Sequence, residues 1–378
     1  MLIQINIFLS LAISFSIVYF IVPKIIKISN IKKLFDVPNH RSAAKVIVPT
    51  LGGIAIFAGF RLALLISLDS FNTNDLKYLS IGVLVMFLIG LKDDIIGVSA
   101  KAKLIVQLLV AFYLVILGHY QITNLHGLLG IHAIEYFTGI VLSVFVIVGI
   151  INSLNLIDGI DGLSSGIGIV ISAVFGLLFL TAGDYIYAIT CFSLTGSLIA
   201  FFLYNVFGHA NKIFMGDTGS LILGVVVALI TIHFIEFTPV SSTSFYGSSA
   251  IALSIIIVPV IDTLRVFMIR LSQKRSPFSP DMNHIHHNLL KLTGGHHLAA
   301  SSIMIAANGL IILLSFMLIE EIGNNMLFML LLVVGFVLAS IPAYILKWQG
   351  KNVLAEEKET KSIYAFSIFT KKGKGIDF

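Results

Sequence analysis

Eleven long apolar runs, near residues 3–22, 51–68, 77–91, 103–118, 138–152, 162–182, 184–206, 219–236, 248–268, 299–319 and 325–346, leave this chain very few ways to fold. Segments of this length bury their backbone polar groups in a hydrocarbon phase only as helices, and the runs lack the period-2 alternation of a closed barrel. At 57% hydrophobic and 11% charged residues, with mean hydropathy +1.01, the apolar surface exceeds what a soluble core can bury. The sequence therefore predicts an all-α, polytopic integral membrane protein of about eleven transmembrane helices. Two runs, 77–91 and 138–152, are short for a span and need residues from their flanks. A membrane-embedded domain over 1–346 and a polar tail over 347–378 are expected. No basic residue precedes the first run, so it reads as a span and not as a cleavable leader.

Alternate crossing sorts the basic residues. Lys24, Lys27, Lys32, Lys33, Arg41, Lys45, Lys92, Lys101, Lys103, Lys212, Arg270, Lys274, Arg275, Lys291 and seven tail lysines fall on one side, and essentially Lys77 alone on the other. The positive-inside rule makes the first side cytoplasmic, with the N-terminus outside and the C-terminus inside. The net charge of +5 is thus spent on topology, and no nucleic-acid partner is implied. The single Cys191 excludes an intramolecular disulfide.

Every polar cluster then lies on the cytoplasmic side. Asn152, Asn155, Asp158 and Asp161 recur every third residue between two apolar runs, with Gly159 and Gly162 among them. Polar groups so close to hydrocarbon suggest a functional site. Asx turns, with Asp161 capping the next helix, are the plainer alternative. Asp93-Asp94 closes the third run, and Gly216-Asp217-Thr218-Gly219-Ser220 opens the eighth, where backbone N–H groups favour an anion. Carboxylates without thiols suit a hard cation, Mg²⁺ or Mn²⁺, which shares its ligands with water and phosphate. His284, His286 and His287 fit either zinc or hydrogen bonding to a diphosphate. Phe214 is either a stacking platform for a planar base or interface packing. In the ninth run Asp262 and Arg265 are spaced to pair, near a kink expected at Pro259, and Arg61 has no local partner. A proton-relay transporter would use such residues, but near the midplane, whereas most of the polar groups crowd one interface.

Four ordered motifs, Asp93-Asp94-x-x-Gly97, Asn152-x-x-Asn155-x-x-Asp158-Gly-x-Asp161-Gly162-Leu163, Gly216-Asp217-Thr218-Gly219-Ser220 and His284-x-His286-His287, resemble those of the polyprenyl-phosphate N-acetylhexosamine-1-phosphate transferases of glycosyltransferase family 4. The run from Ser276 to Asp281 resembles the branch that uses UDP-GlcNAc, although Met282 stands where that branch often has Arg. The resemblance implies a homodimer in the bacterial inner membrane, with an undecaprenyl phosphate acceptor, a UDP-sugar donor and UMP as product. It assigns Asp93, Asp94 and Asp217 to the metal and lipid phosphate. Asp158 and Asp161 complete the catalytic carboxylates and, with Asn152 and Asn155, hold the nucleotide-sugar. Lys45 and Phe214 contact uridine, and the three histidines the diphosphate. A lipid phosphate monoester, with a second pKa of about 6, is already largely dianionic at neutral pH. We therefore expect Asp94 and Asp217 to act mainly as metal ligands and Asp93 to position or deprotonate the acceptor.

Overall fold

A computed structural model describes residues 2–32, 34–36, 48–68, 76–237, 247–276 and 282–372, with side chains for all but 2–4, 35–36 and 351–372. All eleven apolar runs lie on helices: α1 (Leu2–Lys32), α2 (Gly52–Ser67), α3 (Leu76–Ile96), α4 (Ala100–Ile116), α5 (Tyr136–Leu156), α6 (Leu163–Ala182), α7 (Tyr185–Phe207), α8 (Gly216–Glu236), α9 (Ser249–Ile255), α10 (Ile257–Ser272) and α12 (His297–Lys372). The amphipathic α11 (Ile285–Leu292) follows the ninth run. The two short runs do extend into their flanks, giving 21 residues each in α3 and α5. Asp93, Asp94, Asn152 and Asn155 consequently sit in final helical turns.

Six of the described helices are long and apolar enough to cross a membrane, or seven when α9 and α10 count as one bent span. The difference from eleven has identifiable sources. Helices α2 and α4 have 16 and 17 residues. The ends of α3 carry Lys77, Lys92, Asp93 and Asp94. Helix α12 joins two apolar runs across Gly323, whose φ of 73° and ψ of 170° are not helical. Its helical backbone also continues past Lys347 to Lys372, where a polar tail was expected.

Helix α8 is the hub. Apart from half-buried His233, it is buried from Thr218 to Ile235 and largely apolar around its circumference, as a helix enclosed by others must be, and it packs against α3, α5, α2 and α6. Backbones approach closely at its N-terminal start. A Cβ at Gly53 would lie 2.2 Å from the Gly219 nitrogen, and one at Gly90 would lie 2.5 Å from Thr218 Cα. The missing side chains let α2 and α3 deliver their ends to the Gly-Asp-Thr-Gly-Ser turn.

The kink expected at Pro259 falls three residues earlier, as an 86° bend between α9 and α10 at Ile256. Proline supplies no N–H to the carbonyl four residues before it. That carbonyl, Ile255 O, instead accepts from Asn308 Nδ2 at 3.2 Å. Arg61 finds a partner across the bundle, donating from Nη1 to Ser80 Oγ at 2.7 Å. Two small antiparallel pairs accompany the helices. One joins β1 (Phe35–Asp36) to β2 (Val48–Pro49), and the other is a hairpin of β3 (Asn124–Leu128) and β4 (Ile131–Ala133). The hairpin fills the connection between α4 and α5, and Glu236 fastens it by accepting from the Thr123 N–H at 2.8 Å.

Candidate active site

The N-terminus of α8 lacks a cap of its own, since Met215 makes no side-chain bond there. Asp94, at the end of α3, supplies it from another helix. Its Oδ1 accepts the N–H of Asp217 at 2.8 Å, and its Oδ2 accepts the N–H and hydroxyl of Thr218 at 3.0 and 2.5 Å. A carboxylate is well placed against the positive end of a helix. Burial nevertheless raises its pKa to about 6, with these hydrogen bonds pulling the other way and the Asp217 charge adding to the rise. Both oxygens of Asp94 are thus engaged by the backbone turn that carries Asp217.

Asp93 and Asp217 are bridged by a residue that sequence reasoning counted only as a topological charge. Lys103 Nζ lies 2.8 Å from Asp93 Oδ2 and 3.0 Å from Asp217 Oδ2. The turn at Gly97, followed by Ser99 capping α4, folds Lys103 back beside the carboxylate pair. Burial opposes its charge, but the two carboxylates outweigh that and hold its pKa above the ordinary lysine range. Burial also raises Asp93, whereas hydrogen bonds from Asp93, Lys103 and Asn155 hold Asp217 low against its own burial. Asn155 Nδ2 donates to Asp217 Oδ1 and, at 2.8 Å, to Ser220 Oγ.

The four polar residues spaced by three do not share one destination. Each step of three along a helix turns the side chain by about 60° from its predecessor. Asn152 faces α4, donating to Gln107 Oε1 at 2.8 Å and to its own Val148 carbonyl, while Asn155 turns to Asp217. The structure therefore does not bring Asn152 to the carboxylates. The carboxylate of Asp158, beyond the helix end, has no hydrogen-bond or ion-pair partner among the described residues. Its burial, together with the charges of Asp217, Asp94 and Asp161, lifts its pKa to about 8. Asp161 does not cap α6: Gly162 holds that position with φ of 76°. Its carboxylate instead lies 2.6 Å from Lys212 Nζ and 3.1 Å from His297 Nδ1. Burial pushes Asp161 up, and these two partners more than reverse it, leaving its pKa below the usual carboxylate range.

Lys212 also sits 5.7 Å above the centre of the Phe214 ring. The strap carrying both residues is tied to the start of α2, because Phe214 N–H donates to Pro49 O at 2.8 Å and Gly52 N–H to Phe214 O at 3.0 Å. Asn205 ties the same strap to the Asp158–Asp161 loop, accepting from Gly162 N–H at 2.6 Å and donating to Ile213 O at 2.9 Å. Lys45, expected beside Phe214, lies outside the described residues, as do residues 277–281.

The histidines adjoin the loop that carries Asp158 and Asp161. His286 is 1% exposed. Its Nε2 lies so near Gly159 that a Cβ there would come within 2.4 Å. Glycine at 159 is what admits the ring. Burial, helped by His287, lowers the His286 pKa to about 3, and its Nδ1 has no partner among the described residues. The His284 and His286 rings are near parallel at 5.6 Å, and His287 lies 4.2 Å from His286. Among the described residues no three His, Cys, Asp or Glu side chains form a metal-holding group, as a zinc site requires. An oxygen-only set with excess negative charge, centred on Asp158 and Asp217, still fits a cation that takes one or two carboxylates.

These observations define a class: a polytopic helical membrane protein with a carboxylate, lysine and histidine site gathered where its helices end. The chain belongs to glycosyl transferase family 4, whose profile it matches over residues 76–235. It is 31% identical over 261 residues to the undecaprenyl-phosphate alpha-N-acetylglucosaminyl 1-phosphate transferase of Yersinia pestis, covering 68% of this chain and 70% of that protein. The enzyme of the same name from Escherichia coli K12 is 30% identical over 265 residues, with 68% and 69% covered. A probable undecaprenyl-phosphate N-acetylglucosaminyl 1-phosphate transferase of Bacillus subtilis is 30% identical over 291 residues, covering 76% of this chain and 78% of that protein.

Proposed function

We propose that the chain transfers GlcNAc 1-phosphate from UDP-GlcNAc to undecaprenyl phosphate. A lipid phosphate oxygen attacks the sugar-bearing phosphorus, the bond to the UMP phosphate oxygen breaks, and undecaprenyl-diphospho-GlcNAc and UMP result. The names of the relatives supply the substrates. The observation that carries the reading is the meeting of Asp93, Asp158, Asp217 and Lys103 at one end of the bundle. Two anionic phosphates need such a place, where their charge is neutralised and their approach fixed.

In this reading Lys103 and Asp93 position the acceptor phosphate. Asn155 and Asp94 fix Asp217, Asp94 through the backbone turn and not as a ligand. Asp161, Lys212 and Phe214 hold the nucleotide, with Lys45 beside them. His284, His286 and His287 hydrogen-bond the diphosphate, and Asn152 supports the site through Gln107. Asp217 and Asp158 would hold Mg²⁺, with Mn²⁺ as a substitute. The ion would supply electrostatic stabilisation of phosphate charge.

The asymmetry of basic residues supports placing this end at the cytoplasmic face of a bacterial inner membrane. The family resemblance extends the proposal to a homodimer. The test is purified protein with undecaprenyl phosphate, Mg²⁺ and a panel of UDP-sugars. UMP should appear with UDP-GlcNAc, and faster turnover of UDP-MurNAc-pentapeptide would move the chain to another branch.

A further inference from the structure

Asp262 was expected to pair within its own helix. The structure keeps that pair and adds two closer partners. Its carboxylate, 0% exposed at the packed face of α10, receives His284 Nδ1 at 2.9 Å on Oδ2 and the Ile285 N–H at 2.9 Å on Oδ1. Arg265 stands farther off, at 3.6 Å, and its Nη2 donates to the Asn283 carbonyl. One buried carboxylate and one guanidinium therefore pin three consecutive residues, 283 to 285, two through the backbone and His284 through its ring, where the chain enters α11. Helix α11 has no side-chain cap at His284, so Asp262 also satisfies a donor at its N-terminus.

The orientation of the imidazole follows from the partner. A carboxylate only accepts, so Nδ1 carries the proton that is shared, and Nε2 is the edge left without a partner among the described residues. A buried carboxylate behind an imidazole fixes its tautomer and its orientation. His286 two residues on has no such support, and its deep burial keeps it neutral. Within the histidine cluster, His284 is thus backed by a carboxylate and His286 is not.

We propose that Asp262 is a positioning residue that acts through His284, holding the ring so that its Nε2 edge is presented to the anionic diphosphate of the donor. The proposal rests on the transferase reading. Its test is steady-state kinetics of purified Asp262→Asn, His284→Ala and the double variant, with donor and acceptor varied separately. Asp262→Asn should lower kcat/KM for the UDP-sugar by ten- to a hundredfold and leave the KM for undecaprenyl phosphate within twofold of wild type. Added to His284→Ala, it should cost less than a further twofold, because the ring it orients is gone. Asp262→Glu, which keeps a carboxylate, should recover part of the loss. Near-normal donor kinetics in Asp262→Asn, or losses that multiply in the double variant, would overturn the inference. So would a result in which neither Asp262→Asn nor Asp262→Glu accumulates as folded protein, since the role is then structural. Wild-type protein that forms no UMP contradicts the transferase reading itself and is read separately.

Discussion

Replacing Asp94 by Asn separates two roles that the sequence could not distinguish, ligand and helix cap. The carboxylate takes three donors from α8 through two oxygens. An amide offers one oxygen, so the N–H of either Asp217 or Thr218 must face an NH₂ group. An unsatisfied N–H costs about 1–3 kcal/mol, and the first turn of α8 relieves that cost by moving. Global stability should change little. The pKa of about 6 implies that ionised Asp94 is held at a cost of about 3 kcal/mol at neutral pH, at about 1.36 kcal/mol per unit. Loss of the charge therefore offsets most of the lost bonding. Activity is the sensitive quantity, because a displacement of about 1 Å in a reacting group costs on the order of 10²-fold. UMP release measured against Mg²⁺ concentration should show kcat reduced about a hundredfold with the Mg²⁺ requirement unchanged. Asp217→Asn should raise that requirement. An Asp94→Asn enzyme needing as much extra Mg²⁺ as Asp217→Asn would make Asp94 a ligand and refute the capping account.

Three further outcomes are expected. Lys103→Met should reduce turnover at least a hundredfold at every Mg²⁺ concentration, because Asp93 and Asp217 lose the cation between them; recovery at high Mg²⁺ would contradict this. His297→Ala removes one of the two partners that hold the Asp161 pKa down, so Asp161 should take up its proton at higher pH and the acid limb of the pH–rate profile should move upward; an unmoved limb would disconnect Asp161 from donor binding. Single cysteines at Ser99 and Asn211 should resist an impermeant thiol reagent in intact cells while one at His132 reacts, and labelling of Ser99 from outside would reverse the topology.

The helices were legible because hydrophobic length is a local, additive signal, and so were the acidic clusters, since polar side chains interrupting such runs stand out. The partners were less so. Lys103 is hidden among basic residues that set topology, and only the turn at Gly97 folds it onto Asp93 and Asp217. Asn152 shares a spacing with Asn155 but not a direction, because a three-residue step drifts around the helix toward Gln107. Asp262 and Arg265 have the right spacing to pair. A histidine 22 residues away nevertheless comes closer, through a bend whose free carbonyl is satisfied by Asn308 on α12. Such long-range choices depend on packing that no local pattern encodes.

Donor labelled with ³²P in its β-phosphate shows whether a phosphoryl group travels with the sugar. Incubated with undecaprenyl phosphate, Mg²⁺ and purified protein, UDP-GlcNAc so labelled should deliver its radioactivity to the organic phase as lipid-diphospho-sugar, with unlabelled UMP left in water. Label that stays in the aqueous phase as UDP while the sugar moves to lipid would show transfer of the sugar alone and contradict the account.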